Sequence, residues 1–217
     1  MVPFNERRIT MKYPLFKKLR RRKAPRRIVG HKLPLKIDQI WAIRVRLELY
    51  NKLKDLALFN MAIDSMLRSC DLVRLKVCDI SRGNEILSRA QVIQKKTSKP
   101  VQFEITKRTK QAIQNWIESA HLGIYDYLFK SRQKYSEHIS TRQYSRIVDG
   151  WVTSIGLDKA IYATHSLRRT KASIIYRETK NIRAVQILLG HTKIESTVRY
   201  LGVEIDDALD LAEKIDV

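Results

Sequence analysis

The chain has 217 residues, with 43 Lys and Arg against 22 Asp and Glu, so its net charge is +21 at pH 7. This length is sufficient for one domain with a substantial core. No stretch approaches the roughly 18 apolar residues that a membrane-spanning helix needs, and no apolar segment of a secretion signal follows the basic N-terminus. A positive field of this size attracts polyanions, so we expect a nucleic acid partner rather than a membrane.

Residues 1–35 form a strongly basic segment in which Glu6 is the one acidic residue. The segment has too few apolar residues to order on its own. It predicts a flexible arm that binds the phosphate backbone without reading base sequence. A merely solvated tail is the alternative. The predicted backbone-binding residues are Arg20, Arg21, Arg22, Lys23, Arg26 and Arg27.

From residue 36 onward the spacing of apolar residues is typical of a globular, mostly helical domain. The apolar positions of the first predicted helix, 37–50, are Ile37, Ile40, Trp41, Val45 and Leu49. Extended segments at 77–80, 90–96 and 101–105, the last two joined by a turn, predict a three-stranded antiparallel sheet. The other predicted helices span 54–67, 107–120, 141–155, 166–177, 182–189 and 195–200.

The C-terminal segment is acidic, whereas the chain as a whole is basic. Acidic and apolar residues recur with helical spacing over 203–216, which predicts an amphipathic acidic helix. Such a helix can pack on its own domain or dock on a basic surface, in cis or in trans. The two cysteines, Cys70 and Cys78, form neither a disulfide framework nor a metal motif. We expect both to be buried in a reduced, intracellular protein.

Four residues near the C-terminus have a spacing that suits phosphoryl transfer. His165 and Arg168 lie three apart on one helix face, His191 follows Gly190, and Tyr200 comes nine residues later. Arginine binds the non-bridging oxygens of a phosphodiester bidentately. Tyrosine has a pKa near 10, so nearby cations or a base must assist its ionisation. Each residue alone is weak evidence, whereas the combination predicts a tyrosine nucleophile.

These motifs resemble the C-terminal signature of the tyrosine recombinases, the phage integrase family: H-x-L-R, then L-G-H, then Tyr nine residues after that histidine. The text around Arg68 is similar to the family's upstream T-G-L-R-x-x-E-L box, with Met66 in place of the usual Gly and Asp71 in place of Glu. The family also has a lysine on a β-hairpin. Lys96 matches it best, but Lys95 and Lys99 stay open because a one-residue slip along a strand exchanges its faces.

The resemblance implies an α+β catalytic domain over residues 36–217, mainly helical with a three-stranded sheet. It implies that Tyr200 attacks the phosphate and forms a 3′-phosphotyrosyl link, that Arg68 and Arg168 hold the non-bridging oxygens, and that Lys96 protonates the leaving 5′-oxygen. His165 would act as base or positioner, and the histidine of the L-G-H motif would bind the phosphate. No metal or cofactor is implied. The predicted catalytic set is Arg68, Lys96, His165, Arg168, His191 and Tyr200.

The resemblance further implies double-stranded DNA as the substrate and a tetramer on paired sites, with the C-terminal helix docked in trans. We expect a cytoplasmic protein that acts on DNA. Most family members carry a second DNA-binding domain. This chain lacks room for one, and the recombinases that invert fimbrial promoter segments are similar in this respect. The alternatives are a type IB topoisomerase, a non-catalytic DNA-binding regulator derived from a recombinase and a basic RNA-binding protein. The residue spacing argues against the RNA-binding protein.

Overall fold

The computed structural model describes residues 32–133 and 135–201. Its longer helices are α1 (Ile37–Leu49), α2 (Leu53–Ser65), α5 (Lys107–Ser119), α6 (Thr141–Ser154), α7 (Thr164–Thr179), α8 (Ile182–Leu189) and α9 (Ile194–Leu201). The short helices are α3 (Ser69–Leu72) and α4 (Val77–Ile80), and the strands are β1 (Ser81–Arg82), β2 (Glu85–Ile86), β3 (Arg89–Ile93) and β4 (Pro100–Glu104). The predicted α+β class, mainly helical with a small antiparallel sheet component, is confirmed.

Helix α2 lies at the centre of the domain, where every residue from Ala57 to Ser65 is buried. It packs against α1, α5, α7 and β4. Its buried carboxylate, Asp64, accepts hydrogen bonds from the backbone and hydroxyl of Thr106 and from the Thr109 hydroxyl at the start of α5. Lys171 of α7 approaches the same carboxylate at 3.0 Å. A buried carboxylate with this many donors is fully satisfied, so it fixes α5 and α7 against α2.

The described residues form two two-stranded antiparallel sheets, β1 with β2 and β3 with β4. The prediction of a single three-stranded sheet is therefore wrong. Residues Val77–Ile80, the predicted first strand, form a helical turn instead. Oδ2 of Asp79 accepts a hydrogen bond from the N–H of Lys76 at 2.8 Å, and this local cap favours a helix start over an extended chain.

Helix α1 buries Ile40, Ile43 and Leu47. Four of the apolar positions that define the predicted helix are exposed: Ile37, Trp41, Val45 and Leu49. The guanidinium of Arg108 covers the ring of Trp41, with Cζ 4.3 Å from the ring centroid. The predicted helix is therefore present, but the core uses a face turned away from most of the predicted positions.

The cysteine prediction is also wrong, because Cys78 is exposed and Cys70 is only half-buried. Cys78 lies in the short helix α4, on the side that faces solvent. Within the described ranges, no helix combines the length and apolar character needed to cross a membrane.

The last residues of the predicted basic arm lie on the domain. Leu35 is buried, and its N–H donates to the Thr170 hydroxyl at 3.0 Å. The N–H of Leu33 donates to the carbonyl of Ile161 at 3.3 Å. The rest of the arm, with its six predicted phosphate-binding residues, lies outside the described residues, as does the predicted acidic helix at 203–216.

Candidate active site

Arg68 lies at a turn that joins α2 to α3. After α2 ends, Met66 adopts a left-handed backbone conformation with φ of 50°, which costs on the order of 1–3 kcal/mol in a residue other than glycine. The carbonyl of Met66 accepts a hydrogen bond from Nη1 of Arg168. This contact stabilises the unusual turn. The turn then places Arg68 beside Arg168.

The guanidinium of Arg168 is buried and held by two backbone carbonyls. Nη1 donates to Met66 at 2.5 Å and Nη2 donates to Leu189, the last residue of α8, at 2.7 Å. Among the described residues no carboxylate forms an ion pair with it. A buried cation without a paired anion is costly, so the site is arranged to receive an anion.

Gln94 connects three parts of the site. Its buried side-chain oxygen accepts from Nη1 of Arg68 at 2.5 Å and from the Thr97 hydroxyl at 3.0 Å. Its side-chain nitrogen donates to the carbonyl of Leu189 at 3.3 Å, the same atom that accepts from Arg168. Sequence reasoning did not identify this residue, because nothing in its local pattern distinguishes it from a solvated hairpin residue.

The turn between α8 and α9 requires a glycine. Gly190 has φ of 62°, and a Cβ there would overlap Cγ2 of Val101 and lie 3.0 Å from Nε2 of Gln94. His191 follows directly, its ring edge-on to the ring of Tyr200 with centroids 5.3 Å apart. Its Nδ1 lies 3.1 Å from the hydroxyl of Thr197 on α9. The L-G-H motif thus places its histidine against the nucleophile candidate.

Tyr200, in the last turn of α9, lies among arginines. The ring centroid is 5.9 Å from Cζ of Arg168 and 5.3 Å from Cζ of Arg169. The hydroxyl is buried and lacks a well-formed hydrogen bond to any described residue. Burial raises the pKa of Tyr200 to about 12, and the charges of Arg168, Arg169 and Arg68 oppose this rise. The phenol is therefore neutral at pH 7 in the protein without DNA.

Both histidines of the site are neutral at pH 7. Burial, followed by the charges of Arg168 and Arg68, lowers the pKa of His191 to about 4. His165 lies at the more exposed start of α7, where partial desolvation and the same arginines, with Arg169, lower its pKa below the usual 6.5. Neutral imidazoles can accept a proton or hydrogen-bond a phosphate.

The hairpin between β3 and β4 carries the lysine candidates. Its turn is held by the N–H of Lys95, which donates to Oδ1 of Asp71 at 2.9 Å, and by Thr97 through Gln94. The side chain of Lys96 is exposed at the tip, and no hydrogen bond or ion pair joins it to another described residue. Asp71, which stands in place of the family's Glu, thus anchors the hairpin backbone.

The structure thus brings together five of the six predicted catalytic residues, with Lys96 outside the cluster on a neighbouring turn. Sequence reasoning missed Gln94 and Arg169. The clustered residues are Arg68, His165, Arg168, His191 and Tyr200.

Sequence comparison identifies relatives among integrases and tyrosine recombinases. The phage integrase family matches residues 35–205. The chain is 32% identical to a probable integrase/recombinase, YoeC, of Bacillus subtilis over 75% of this chain and 85% of that protein. It is 29% identical to a tyrosine recombinase of Pseudothermotoga lettingae, over 91% of this chain and 64% of that protein. It spans about half, 52%, of the tyrosine recombinase XerC of Pelobacter propionicus, at 29% identity.

Solved structures share the fold. A crystal structure of XerA recombinase superposes with a TM-score of 0.69 at 19% sequence identity. The match covers 85% of this chain and 65% of the XerA chain. A Tn1549 transposon integrase in complex with a circular intermediate DNA has a TM-score of 0.65 at 19% identity and covers 85% of this chain and 66% of its own. The family predicted from the motifs is confirmed, and this chain belongs to the phage integrase family, that of the tyrosine recombinases.

Proposed function

We propose that this chain is a site-specific DNA recombinase that cuts and rejoins strands through a covalent bond between Tyr200 and a 3′-phosphate. The observation that carries the proposal is the convergence of Arg68, Arg168 and His191 on one buried tyrosine, with His165 near the same arginines. A transferring phosphoryl group carries spread negative charge, and catalysis of its transfer depends on positioning and positive charge. These described side chains supply both.

In the proposed reaction Oη of Tyr200 attacks the phosphorus, the bond from phosphorus to the 5′-oxygen breaks and a 3′-phosphotyrosyl bond forms. Arg68 and Arg168 bind the non-bridging oxygens. His165, neutral at pH 7, accepts the phenolic proton or positions the phosphate, and His191 hydrogen-bonds the phosphate. Attack by a 5′-hydroxyl of another strand reverses the step, so one phosphodiester replaces another.

Lys96 is the proposed acid for the leaving 5′-oxygen. Two hydrogen bonds link its turn to Arg68, because Thr97 and Arg68 both donate to the side-chain oxygen of Gln94. A phosphate held by Arg68 would therefore lie near the hairpin tip. Lys95 and Lys99 share this exposed turn. Substitution of each of the three lysines by Met, tested on a substrate with sulfur in place of the 5′-oxygen, would separate them, because a sulfur leaving group needs no acid.

The buried hydroxyl of Tyr200 implies a movement before the reaction. A phosphate cannot reach an oxygen with no exposed surface, so Tyr200 or the groups that cover its hydroxyl must move when DNA binds. We infer that the short α9, whose only fully buried residue is Thr197, moves as a unit while α7 and α8 remain packed. The free protein therefore holds its nucleophile protonated and covered.

The proposed assembly is a homotetramer on two paired DNA sites. The acidic segment 203–216 would dock in trans on a basic neighbour, and the arm 1–35 would bind the phosphate backbone with Arg20, Arg21, Arg22, Lys23, Arg26 and Arg27. The net charge of +21 supports a polyanionic partner. The Tn1549 integrase and a XerH recombinase with similar folds were solved in complexes with DNA.

Trapping of the covalent adduct tests the proposal. A duplex selected from random sequence by binding to this chain would be nicked at successive positions, so that a cleaved fragment dissociates. We expect the wild-type chain and the control Tyr176→Phe, from the same small core cluster, to form an adduct, and Tyr200→Phe to form none. Equal adducts with all three proteins would exclude Tyr200. Strand exchange between two sites, rather than relaxation of one duplex, distinguishes a recombinase from a topoisomerase.

A further inference from the structure

We propose that Arg169 is a positioning residue for the nucleophile, which holds the ring of Tyr200 and keeps an unpaired positive charge beside it. This inference rests on the proposed function, because it assigns Arg169 a part in the same reaction. Arg169 follows the arginine of the H-x-L-R motif and is not part of the predicted site.

The first observation is the placement of the side chain. Arg169 is 6% exposed, and its Nη1 donates to the backbone carbonyl of Lys32 at 2.7 Å. Its Cζ lies 5.3 Å from the centroid of the Tyr200 ring, closer than the 5.9 Å of Arg168. Arg168 is fixed by two carbonyls on one side of the site, and Arg169 is fixed by a third carbonyl from another segment.

The guanidinium charge of Arg169 is buried and has no paired carboxylate among the described residues. Its Nε is buried and has no hydrogen-bond partner in the described part of the chain. A structural arginine at this depth is expected to be paired and fully hydrogen-bonded. The phenolate of Tyr200 is the anion that would compensate this charge.

The charge of Arg169 favours ionisation of the Tyr200 phenol. A guanidinium over an aromatic ring attracts the neutral phenol through the ring quadrupole and attracts the phenolate more strongly through its full charge. The charge of Arg169 lowers the pKa of Tyr200 against the effect of burial. Loss of that charge should therefore move the ionisation of Tyr200 to higher pH.

The test compares Arg169→Gln, which keeps a donor for the Lys32 carbonyl, with Arg169→Lys, which keeps the charge. Arg177→Gln is the matched control, because it removes the same charge from an exposed position of the same helix. Each variant would be assayed for DNA affinity and for the rate of adduct formation against pH. A substrate with a bridging 5′-sulfur makes the rate independent of protonation of the leaving group.

We expect Arg169→Gln to bind DNA as Arg177→Gln does, but to form the adduct about tenfold more slowly at pH 7, the effect of one unit in the pKa of the nucleophile. Its rate should approach the control rate at alkaline pH. Arg169→Lys should keep the wild-type pH dependence.

Two results would overturn the proposal: a rate for Arg169→Gln equal to that of the control, or a loss that is the same at every pH. If thermal melting shows that the Gln variant does not fold, the folded Lys variant provides the test. A shift in the pH dependence of its rate of adduct formation would contradict the proposed role of Arg169. Failure of the wild-type chain to form any adduct would remove the proposed function itself. A wild-type adduct with an unaffected Gln variant would remove only the role of Arg169.

Discussion

The cationic side chains of the site are held mainly by backbone carbonyls and amides, not by carboxylates. Arg168 donates to two carbonyls and Arg169 to a third, while Arg68 donates to a side-chain amide. Such neutral acceptors orient a guanidinium without neutralising it. The net positive charge therefore remains available for a phosphate, and it also makes the protonated form of each nearby histidine unfavourable.

Substitution of Gln94 by Leu should slow strand cleavage and also lower the stability of the fold. The change leaves Arg68 and Thr97 without their side-chain acceptor, whereas the Leu189 carbonyl keeps Arg168 as its donor. The loss should lower the free energy of unfolding by roughly 1–3 kcal/mol. Misplacement of Arg68 should lower the cleavage rate by on the order of tenfold to hundredfold. The control is Gln102→Leu, which breaks an exposed pair with Gln91 in the same hairpin. Similar cleavage rates for the two variants would show that Gln94 does not position Arg68.

His191 should make the folded protein less stable as the pH falls. Its folded pKa of about 4 lies below the value of 6.5 in an unfolded chain, so between these values the unfolded state binds more protons and stability rises with pH. We expect the melting temperature to decline from about pH 6.5 towards pH 4, and His191→Gln to reduce that decline. The exposed His121→Gln is the control. An unchanged pH dependence in His191→Gln would contradict the low pKa.

The motif residues of the site could be predicted from sequence, but their supporting contacts could not. His165, Arg168, His191 and Tyr200 have fixed spacings along the chain, which a single sequence displays. Gln94 acts on Arg68 from 26 residues away and on Leu189 from 95 residues away. No local pattern encodes a contact at such separations, because it depends on how the hairpin packs against α8.

At the scale of elements, the turn between α8 and α9 sets the position of the nucleophile. Gly190→Ala should destabilise the protein by about 1–3 kcal/mol, because its left-handed backbone and close neighbours exclude a Cβ. The displaced turn should also lower the cleavage rate, since His191 follows it. Gly150→Ala in α6, where a Cβ meets no atom within 4 Å, is the control and should be neutral or stabilising in chemical denaturation. Equal stabilities of the two variants would contradict this account.

Most long helices were predicted within a few residues, and the errors have physical causes. Helix α8 has the predicted bounds because Asn181 caps its start and Gly190 ends it. The face of α1 was misjudged because that helix is apolar on more than one side, so the pattern selected Ile40 but missed the buried Ile43 and Leu47. The strand predicted at 77–80 is a helical turn because of the cap by Asp79, whose effect outweighs the β-propensity of Val77 and Ile80.

The surplus of positive charge on the chain should appear in the salt dependence of DNA binding. Removal of residues 1–31, which spares the docked residues 32–35, should weaken binding and reduce the slope of log affinity against log salt by about 0.9 for each phosphate that the arm neutralises. A full-length variant with the six arm residues Arg20, Arg21, Arg22, Lys23, Arg26 and Arg27 changed to Gln separates charge from chain length. An unchanged slope in both proteins would exclude the arm as a DNA-binding segment.

The proposed reaction requires that Tyr200 become covalently joined to DNA. The most direct measurement is mass spectrometry of the protein after reaction with a nicked duplex and digestion by nuclease and protease. We predict a nucleotide attached through a 3′-phosphate to the peptide that contains Tyr200. Attachment to any other residue, or the absence of a nucleotide from a chain that nevertheless recombines its sites, would contradict the account.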